Sequence, residues 1–337
     1  MTARARSSAR ADRSRVDERA FHRWLKRTLP AGRSGSLPLG DDAASIVAPS
    51  GRVAVLSTDA LIENVHFFAD SPPLRIGRAA TSVSLSDAAA KGATPVGILL
   101  DLLVPPRTPV AWMRSVVQGA ERAAARFGAH VIGGDTKPSA TRTVVSTVVA
   151  WGDPAHLAPR SGARAGDLAV VTGRVGRGGR AWEGLLRAST PRTKARARAA
   201  LLEVTPRVRE GAYLARFAHA MLDTSDGLAD AAHLLSEASG IQIELDEPAI
   251  PWVAGLVDRS TSGFFGGDYE LLAAIAPTDW ERARRTPGVG VTRVGRFRRG
   301  VGAFLVSPAG RRPLARAGWQ PFLTAKVEAQ RRRGVNV

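Results

Sequence analysis

Six aspartates recur beside glycine, serine or threonine in a chain that is otherwise strongly basic. They are Asp42 in "PLGDDAAS", Asp59 in "LSTDALIENVHFF", Asp87 in "SLSDAAAKGA", Asp135 in "VIGGDTKPS", and Asp223 and Asp226 in "MLDTSDGLAD". Most fall at the end of an expected strand or in a turn opening onto a helix. Singly, such an aspartate reads as a cap or turn residue. All six in this setting are harder to treat so, because together they form a set of oxygen ligands without histidine or cysteine. That set suits Mg²⁺, which keeps several waters and bridges carboxylates to substrate phosphates. Several such ions would neutralise a polyphosphate and the charge that develops as a phosphoryl group moves. This chemistry needs no protein nucleophile, and the sequence offers none: there is no G-x-S-x-G, no HExxH and no cysteine.

Other motifs carry less. The glycine turn "TGRVGRGGR" lacks the Lys-Ser/Thr ending of a P-loop and the spacing of a dinucleotide site, so it reads as a plain strand-to-helix turn. His66 in "NVHFF" follows an aspartate-bearing strand end; taken alone it is a packed or loop histidine. His22, His130, His156, His219 and His233 show no metal-ligand spacing.

The elements that must position these residues alternate between strand and helix. From Val16 the apolar spacing is helical and closes at Pro30. "SIVAP", "RVAVLSTDAL", "PVGILLDLLVP", "HVIGGDT" and "RTVVSTVVAWG" read as strands. "PLRIGRAATSVSLSDAAAKGA" and "AWMRSVVQGAERAAARFGA" read as helices between them. The second half repeats the pattern: strand, glycine turn and helix from "DLAVVTG", and a largely helical stretch broken at Pro206. After these come strand, acidic turn and helix around "MLDTSDG", then the strands "IQIELD" and "GGDYELLAAI". Two α/β halves are therefore expected, residues 16–152 and 153–325, flanked by a basic arm (1–15) and a basic tail (326–337).

A net charge of +18 invites a nucleic-acid reading, but 43 of the 48 basic residues are arginine and they are scattered. No aromatic interleaving of the kind that stacks bases accompanies them. A positive field that draws in anionic substrates is the milder interpretation. No apolar run approaches the roughly 18 residues of a membrane span, and no apolar signal core opens the chain. A cytoplasmic protein is expected, without membrane or nucleic-acid partners.

The motifs "GDDAA", "STDALIENVHF", "LSDAAAKGATP", "GGDT", "RSGARAGD", "DTSDGLA" and "GGDYELL" occur in an order that resembles thiamine-monophosphate kinase. That family belongs to the superfamily of aminoimidazole-ribonucleotide synthetase, selenophosphate synthetase and a hydrogenase maturation protein. The resemblance spans roughly residues 37–322. It implies a two-domain α/β (α+β) fold of the aminoimidazole-ribonucleotide synthetase type, whose N-terminal sheet pairs across a homodimer into a barrel. It also implies phosphoryl transfer from ATP to thiamine monophosphate with several Mg²⁺ ions. By resemblance, Asp42, Ser57, Thr58, Asp59, Asp87, Asp135, Asp223 and Asp226 fall on magnesium-binding positions, with Asp59, Asp135 and Asp226 nearest the chemistry. Gly134, Asp135, Arg160 and Ser225 fall on ATP-contacting positions, His66 on the position that contacts thiamine phosphate, and Trp319 on an aromatic that packs near the thiamine rings.

One motif departs from the family. The family reads "GGEDYEL" where this chain reads "FGGDYEL", so Gly267 stands in place of a glutamate associated with the substrate site. Asp268 or Glu270 is the expected occupant of the vacated space. Lys137 stands where a neutral residue is common, and either touches a phosphate or faces water. The alternatives are another ATP-dependent member of the superfamily with a different acceptor, or a basic nucleic-acid or scaffold protein on a degenerate enzyme fold.

Overall fold

Apolar alternation in the first half builds a mixed sheet, seen in a computed structural model that describes residues 18–29 and 37–319. Its strands are β1 (Ala44–Val47), β2 (Val53–Ile62), β3 (Thr94–Val104), β4 (His130–Gly133), β5 (Thr136–Pro138) and β6 (Thr143–Gly152). They lie in the order β1-β2-β6-β3-β4, with β5 continuing along β3. Side chains alternate across a strand. On β2, Val53, Val55 and Leu61 are buried on one face, and Ser57 and Asp59 share their parity; Thr58 belongs to the other face.

Two helices, α2 (Pro73–Ala90) and α3 (Val110–Ala125), belong to the same half, and α2 packs on β2, β3 and β6. Pro73 starts α2, where a missing N–H costs nothing. Most of α2 from Ile76 onward is small and buried, including Ser82, Ser84 and Ser86. A helix buried on all sides needs small residues so that its neighbours can approach. It touches β2, β3 and β6 of one sheet, and also β8 and α6 of the other half.

The second half carries β7 (Leu168–Thr172), α4 (Arg177–Arg187), α5 (Pro191–Leu201), α6 (Val208–Leu214), β8 (Ala218–Asp223) and α7 (Leu228–Ser239). It continues with β9 (Gln242–Asp246), β10 (Leu271–Ile275), α8 (Trp280–Ala283), β11 (Val291–Arg298), β12 (Gly302–Ser307) and β13 (Gly310–Pro313). The sheet order is β13-β12-β9-β11-β7-β10-β8. Every residue of β7 and β10 is buried, so they form the centre of the core. The helical stretch broken at Pro206 resolves into α5 and α6. Strands β11 to β13 were not anticipated; in β11, arginines at the exposed positions hide the burial of Val294 and Phe297.

Both sheets belong to one compact unit, residues 33–319. Helix α1 (Glu18–Thr28) belongs to a second unit, where Phe21 and Trp24 stack with ring centroids 5.8 Å apart. The basic arm and tail expected from the sequence lie outside the described residues. No helix among the described residues is long and apolar enough to cross a membrane.

Helices α2 and α3 meet through glycine. A Cβ on Gly77 would fall 1.9 Å from the Val116 carbonyl oxygen, and one on Gly119 would fall 2.1 Å from that of Leu74. Gly119→Ala should therefore push the helices apart and destabilise the protein by about 1–3 kcal/mol. Denaturant unfolding checks this, and an unchanged midpoint would contradict the packing.

Candidate active site

Four segments bring acid together between the two sheets. Ser57 and Asp59 come from the inward face of β2, Asp87 from the last turn of α2, Asp41 and Asp42 from the loop before β1, and Asp223 from the end of β8. The Ser57 hydroxyl donates to Asp87, and the Ser86 hydroxyl donates to Asp223 at 2.6 Å. Asp59 is hydrogen-bonded to Asp87. Burial raises the Asp59 carboxyl above the usual range. Asp87 is pushed well above it, by burial first and then by the charges of Asp59, Asp223 and Asp42. Burial, followed by the Asp42 charge, lifts Asp223 to about 6. Asp87 also sits at the negative end of a helix dipole, which disfavours a carboxylate. The cluster therefore concentrates negative charge that the neighbouring protein only partly balances.

The exception is the pair next to it. Lys91, at the C-cap of α2, is wholly buried. Its Nζ reaches Asp41 Oδ1 at 2.6 Å, Asp42 Oδ2 at 2.8 Å and the Met221 carbonyl at 2.9 Å. Arg160 adds a side-chain bond to Asp42, and its backbone N–H donates to Asp41 at 2.8 Å. Burial alone would raise the Asp42 carboxyl, but Lys91 and Arg160 hold it below its usual value. Of the three Lys91 contacts, two are hydrogen bonds and the approach to Asp42 is an ion pair, so the buried amine is engaged on every side and acts structurally. The Arg160 Nε, by contrast, is buried without a hydrogen-bond partner beside the same cleft.

The turn after β8 closes the site. Backbone bonds run from Thr224 N to Glu270 O (2.8 Å), from Gly267 N to Ser225 O (2.7 Å) and from Trp319 N to Asp226 O (3.2 Å). Asp42, Arg160, Asp223, Ser225, Asp226 and Asp230 line a pocket there. Tyr269, in the left-handed region at φ 56°, lies near the cluster: burial, then Asp59, Asp223, Asp226 and Asp87, push its phenol well above its usual value. Trp319 reaches His66 with ring centroids 6.2 Å apart. The His66 Nδ1 accepts the Ile62 N–H at 3.1 Å, which leaves the proton on Nε2, and burial lowers its pKa.

Against this geometry, residues 40–152 match the N-terminal domain of AIR synthase related proteins and residues 164–304 the C-terminal domain. The thiamine-monophosphate kinase of Synechococcus elongatus is 35% identical over 75% of this chain and 84% of its own length. That of Caulobacter vibrioides is 31% identical over 88% of each. A solved structure described as AaThiL complexed with AMPPCP and TMP superposes with a TM-score of 0.77 at 28% identity, covering 90% of this chain and 96% of that one. The chain belongs to the thiamine-monophosphate kinase family.

Of the residues that the kinase resemblance singled out, the structure gathers Asp42, Ser57, Asp59, Asp87, Arg160, Asp223, Ser225 and Asp226 around one cleft, with His66 and Trp319 at its rim. It sets others apart. Thr58 lies on the opposite sheet face, where its hydroxyl accepts from Thr147 at 2.8 Å. Only its main chain can share the metal role given to it. Gly134 and Asp135 belong to the β4–β5 turn. Asp135 is 56% exposed, its carboxylate bonded to Thr136 N and 3.1 Å from Lys137, and its N–H donates to Asp101 on the outer face of β3. Lys137, 65% exposed, thus pairs with Asp135.

The space at Gly267 is not filled as expected. Asp268 accepts the N–H groups of Gly176 (2.7 Å), Arg177 (2.6 Å) and Gly178 (3.2 Å), pinning the start of α4. This also spends the glycine turn's donors, so no phosphate cradle exists there. Glu270 is bound by Arg207 at 2.7 and 2.5 Å and by Thr172 at 2.6 Å. Neither carboxylate is available, because backbone donors and an arginine have claimed them. Among the other histidines, His130, His156 and His219 pair with Glu121, Asp153 and Asp167.

Sequence reasoning missed Asp41, Lys91, Ser86 and Tyr269. The lysine was the readable signal, being one of five lysines against 43 arginines and set in an otherwise apolar helix end.

Among the described residues no three carboxylate or histidine side chains close on one metal position.

Lys91→Met should strand two buried carboxylates and destabilise the fold by about 3–5 kcal/mol. Chemical denaturation at neutral pH measures this, and a loss under about 1 kcal/mol would show that the network is not holding the domains.

Proposed function

We propose that this chain transfers the γ-phosphoryl group of ATP to thiamine monophosphate, giving thiamine diphosphate and ADP. The observation that carries the reading is the juxtaposition of a buried acidic cleft with the His66–Trp319 ring pair through the Asp226–Trp319 backbone bond. Family membership supports it, as does the AMPPCP and TMP complex of the solved relative.

The nucleophile is an oxygen of the acceptor's own phosphate, whose second pKa near ~6 leaves it ionised at neutral pH. No general base is required for such a nucleophile. A bond forms between that oxygen and the γ-phosphorus while the bond to the β-bridging oxygen breaks, and ADP leaves. The chain contributes position and field. Arg160 and Ser225 line the same pocket, where the guanidinium charge suits a phosphate, and the Ser225 hydroxyl donates to Asp223 at 2.8 Å. Asp42, Asp59, Asp87, Asp223 and Asp226 would hold Mg²⁺, which when bound screens the phosphates from one another and from these carboxylates.

We further infer a homodimer formed through the outer face of the first sheet. Ile46, Leu99 and Ile132 are 52%, 40% and 61% exposed there, beside the half-buried Leu56, Val145 and Val149. An open apolar sheet face of this kind marks an interaction surface. Thr58, Asp101, Asp135 and Lys137 share it, so the proposed roles of Gly134 and Asp135 in ATP and metal binding depend on that assembly.

Asp59→Asn and Asp87→Asn should each lower kcat by at least ~100-fold, with circular dichroism unchanged. Mg²⁺ should raise the melting temperature of wild type more than that of Asp87→Asn. Near-normal turnover of either variant at limiting Mg²⁺ would remove the metal assignment. Leu99→Glu with Ile132→Glu should give a monomer in light scattering; a dimer that survives both would place the interface elsewhere.

A further inference from the structure

A second set of rings continues the His66–Trp319 pair. Trp319 meets Phe265 edge-on, with centroids 5.8 Å apart and planes at 70°, and Phe265 lies stacked on Trp182 at 5.3 Å and 12°. These rings belong to none of the hydrophobic core clusters among the described residues, and all are half-buried. They pack on one another, and their remaining surface is accessible.

The backbone explains how they meet. A Cβ on Gly178 would fall 1.9 Å from the Gly266 carbonyl oxygen, so α4 lies directly against the 265–267 segment. Trp182 is one helical turn beyond Gly178 on the same face. It is therefore delivered onto Phe265, while Asp268 holds the start of that helix in place. Beside them Gly267, at φ 78°, has only Gly178 Cα within 4 Å of where its Cβ would be. Space is present, but no carboxylate fills it.

In this arginine-rich chain, guanidinium groups lie over the rings of Phe68, Trp112, Phe127, Trp151, Tyr213, Phe217 and Phe304. None lies over Trp182, Phe265 or Trp319 among the described residues. Along this wall Trp182 and Phe265 cover one face of each other, and no guanidinium among the described residues competes for the other faces.

We infer that Phe265 and Trp182 form the face that receives the cationic thiazolium of the acceptor, replacing a carboxylate at position 267 with ring quadrupoles and stacking area. The inference rests on the phosphoryl-transfer reading above and names the residues that select the acceptor. The departures at 265 and 267 then form one exchange: a point charge is lost and a ring gained two residues away.

The test uses the full chain. Phe265→Ala should raise KM for thiamine monophosphate about 3- to 30-fold, leave KM for ATP unchanged and keep kcat within about twofold, the pattern of lost ground-state binding. Phe265→Tyr should restore KM, and Trp182→Leu should resemble Phe265→Ala. Calorimetry with phosphate-free thiamine provides a readout independent of turnover. Wild type should bind it more tightly than the neutral methyl-hydroxyethyl-thiazole, and Phe265→Ala should lose that preference. If wild type turns over thiamine monophosphate while Phe265→Ala keeps its KM and its preference for the cation, the wall plays no part in recognition. If wild type fails to phosphorylate thiamine monophosphate but shows the cation preference, and Phe265→Ala loses it, the proposed function falls and the wall stands.

Discussion

The amine of Lys91, with no solvent contact, is held by two adjacent aspartates and a main-chain carbonyl drawn from two distant parts of the chain. An ammonium can be buried only where its donors are all accepted and its charge is matched. The match is made by Asp41 and Asp42, and the surplus carboxylate charge by Arg160. The consequence is geometric. The end of α2, the loop before β1, the segment at 160 and the edge strand β8 are tied to a common point, and removing Lys91 leaves Asp41 and Asp42 short of a buried cation. The acidic cleft lies immediately beside this knot, so its carboxylates inherit fixed positions from it.

That fixation opposes the electrostatics of the cleft. Asp59, Asp87 and Asp223 would separate if their backbones allowed, since burial and mutual repulsion raise all three. Strand β2, helix α2 and strand β8 do not allow it, and the hydroxyls of Ser57 and Ser86 compensate only in part. A site that stores repulsion among oxygen ligands is poised to gain free energy from a cation with bound phosphate. Stability is given up locally so that charge is preorganised where a phosphoryl group must be held.

At the rim of the same cleft the chain departs from the motif that the family resemblance implies. Two carboxylates next to Gly267 are engaged elsewhere, one by the start of α4 and one by Arg207. The lost glutamate is thus not replaced by a neighbour of like charge. What the fold places there instead is a run of rings, brought together by the close approach of Gly178.

Sequence alone determined much of this protein. Short apolar runs around Val53–Ile62 and Leu168–Thr172 and the helical spacing of α2 and α3 specify the two α/β halves, because strand and helix periods follow directly from backbone geometry. Aspartates flanked by glycine and hydroxyl residues, without cysteine or metal-spaced histidine, point to oxygen-ligand phosphate chemistry before any contact is known. Strands β11 and β13 escaped because arginines occupy their exposed positions, and a half-exposed strand in an arginine-rich chain resembles a loop. Which aspartates act together was beyond the sequence. Asp59 and Asp87 are 28 positions apart and meet only when β2 lies on α2, whereas Thr58, adjacent to Asp59, is turned to the opposite face by the pleat. Lys91 acquires its partners from positions 41, 42 and 221, and Phe265 acquires Trp182 across 83 residues, so their roles arise from long-range packing. Local pattern sets which face a side chain takes; only the tertiary fold decides what stands opposite it.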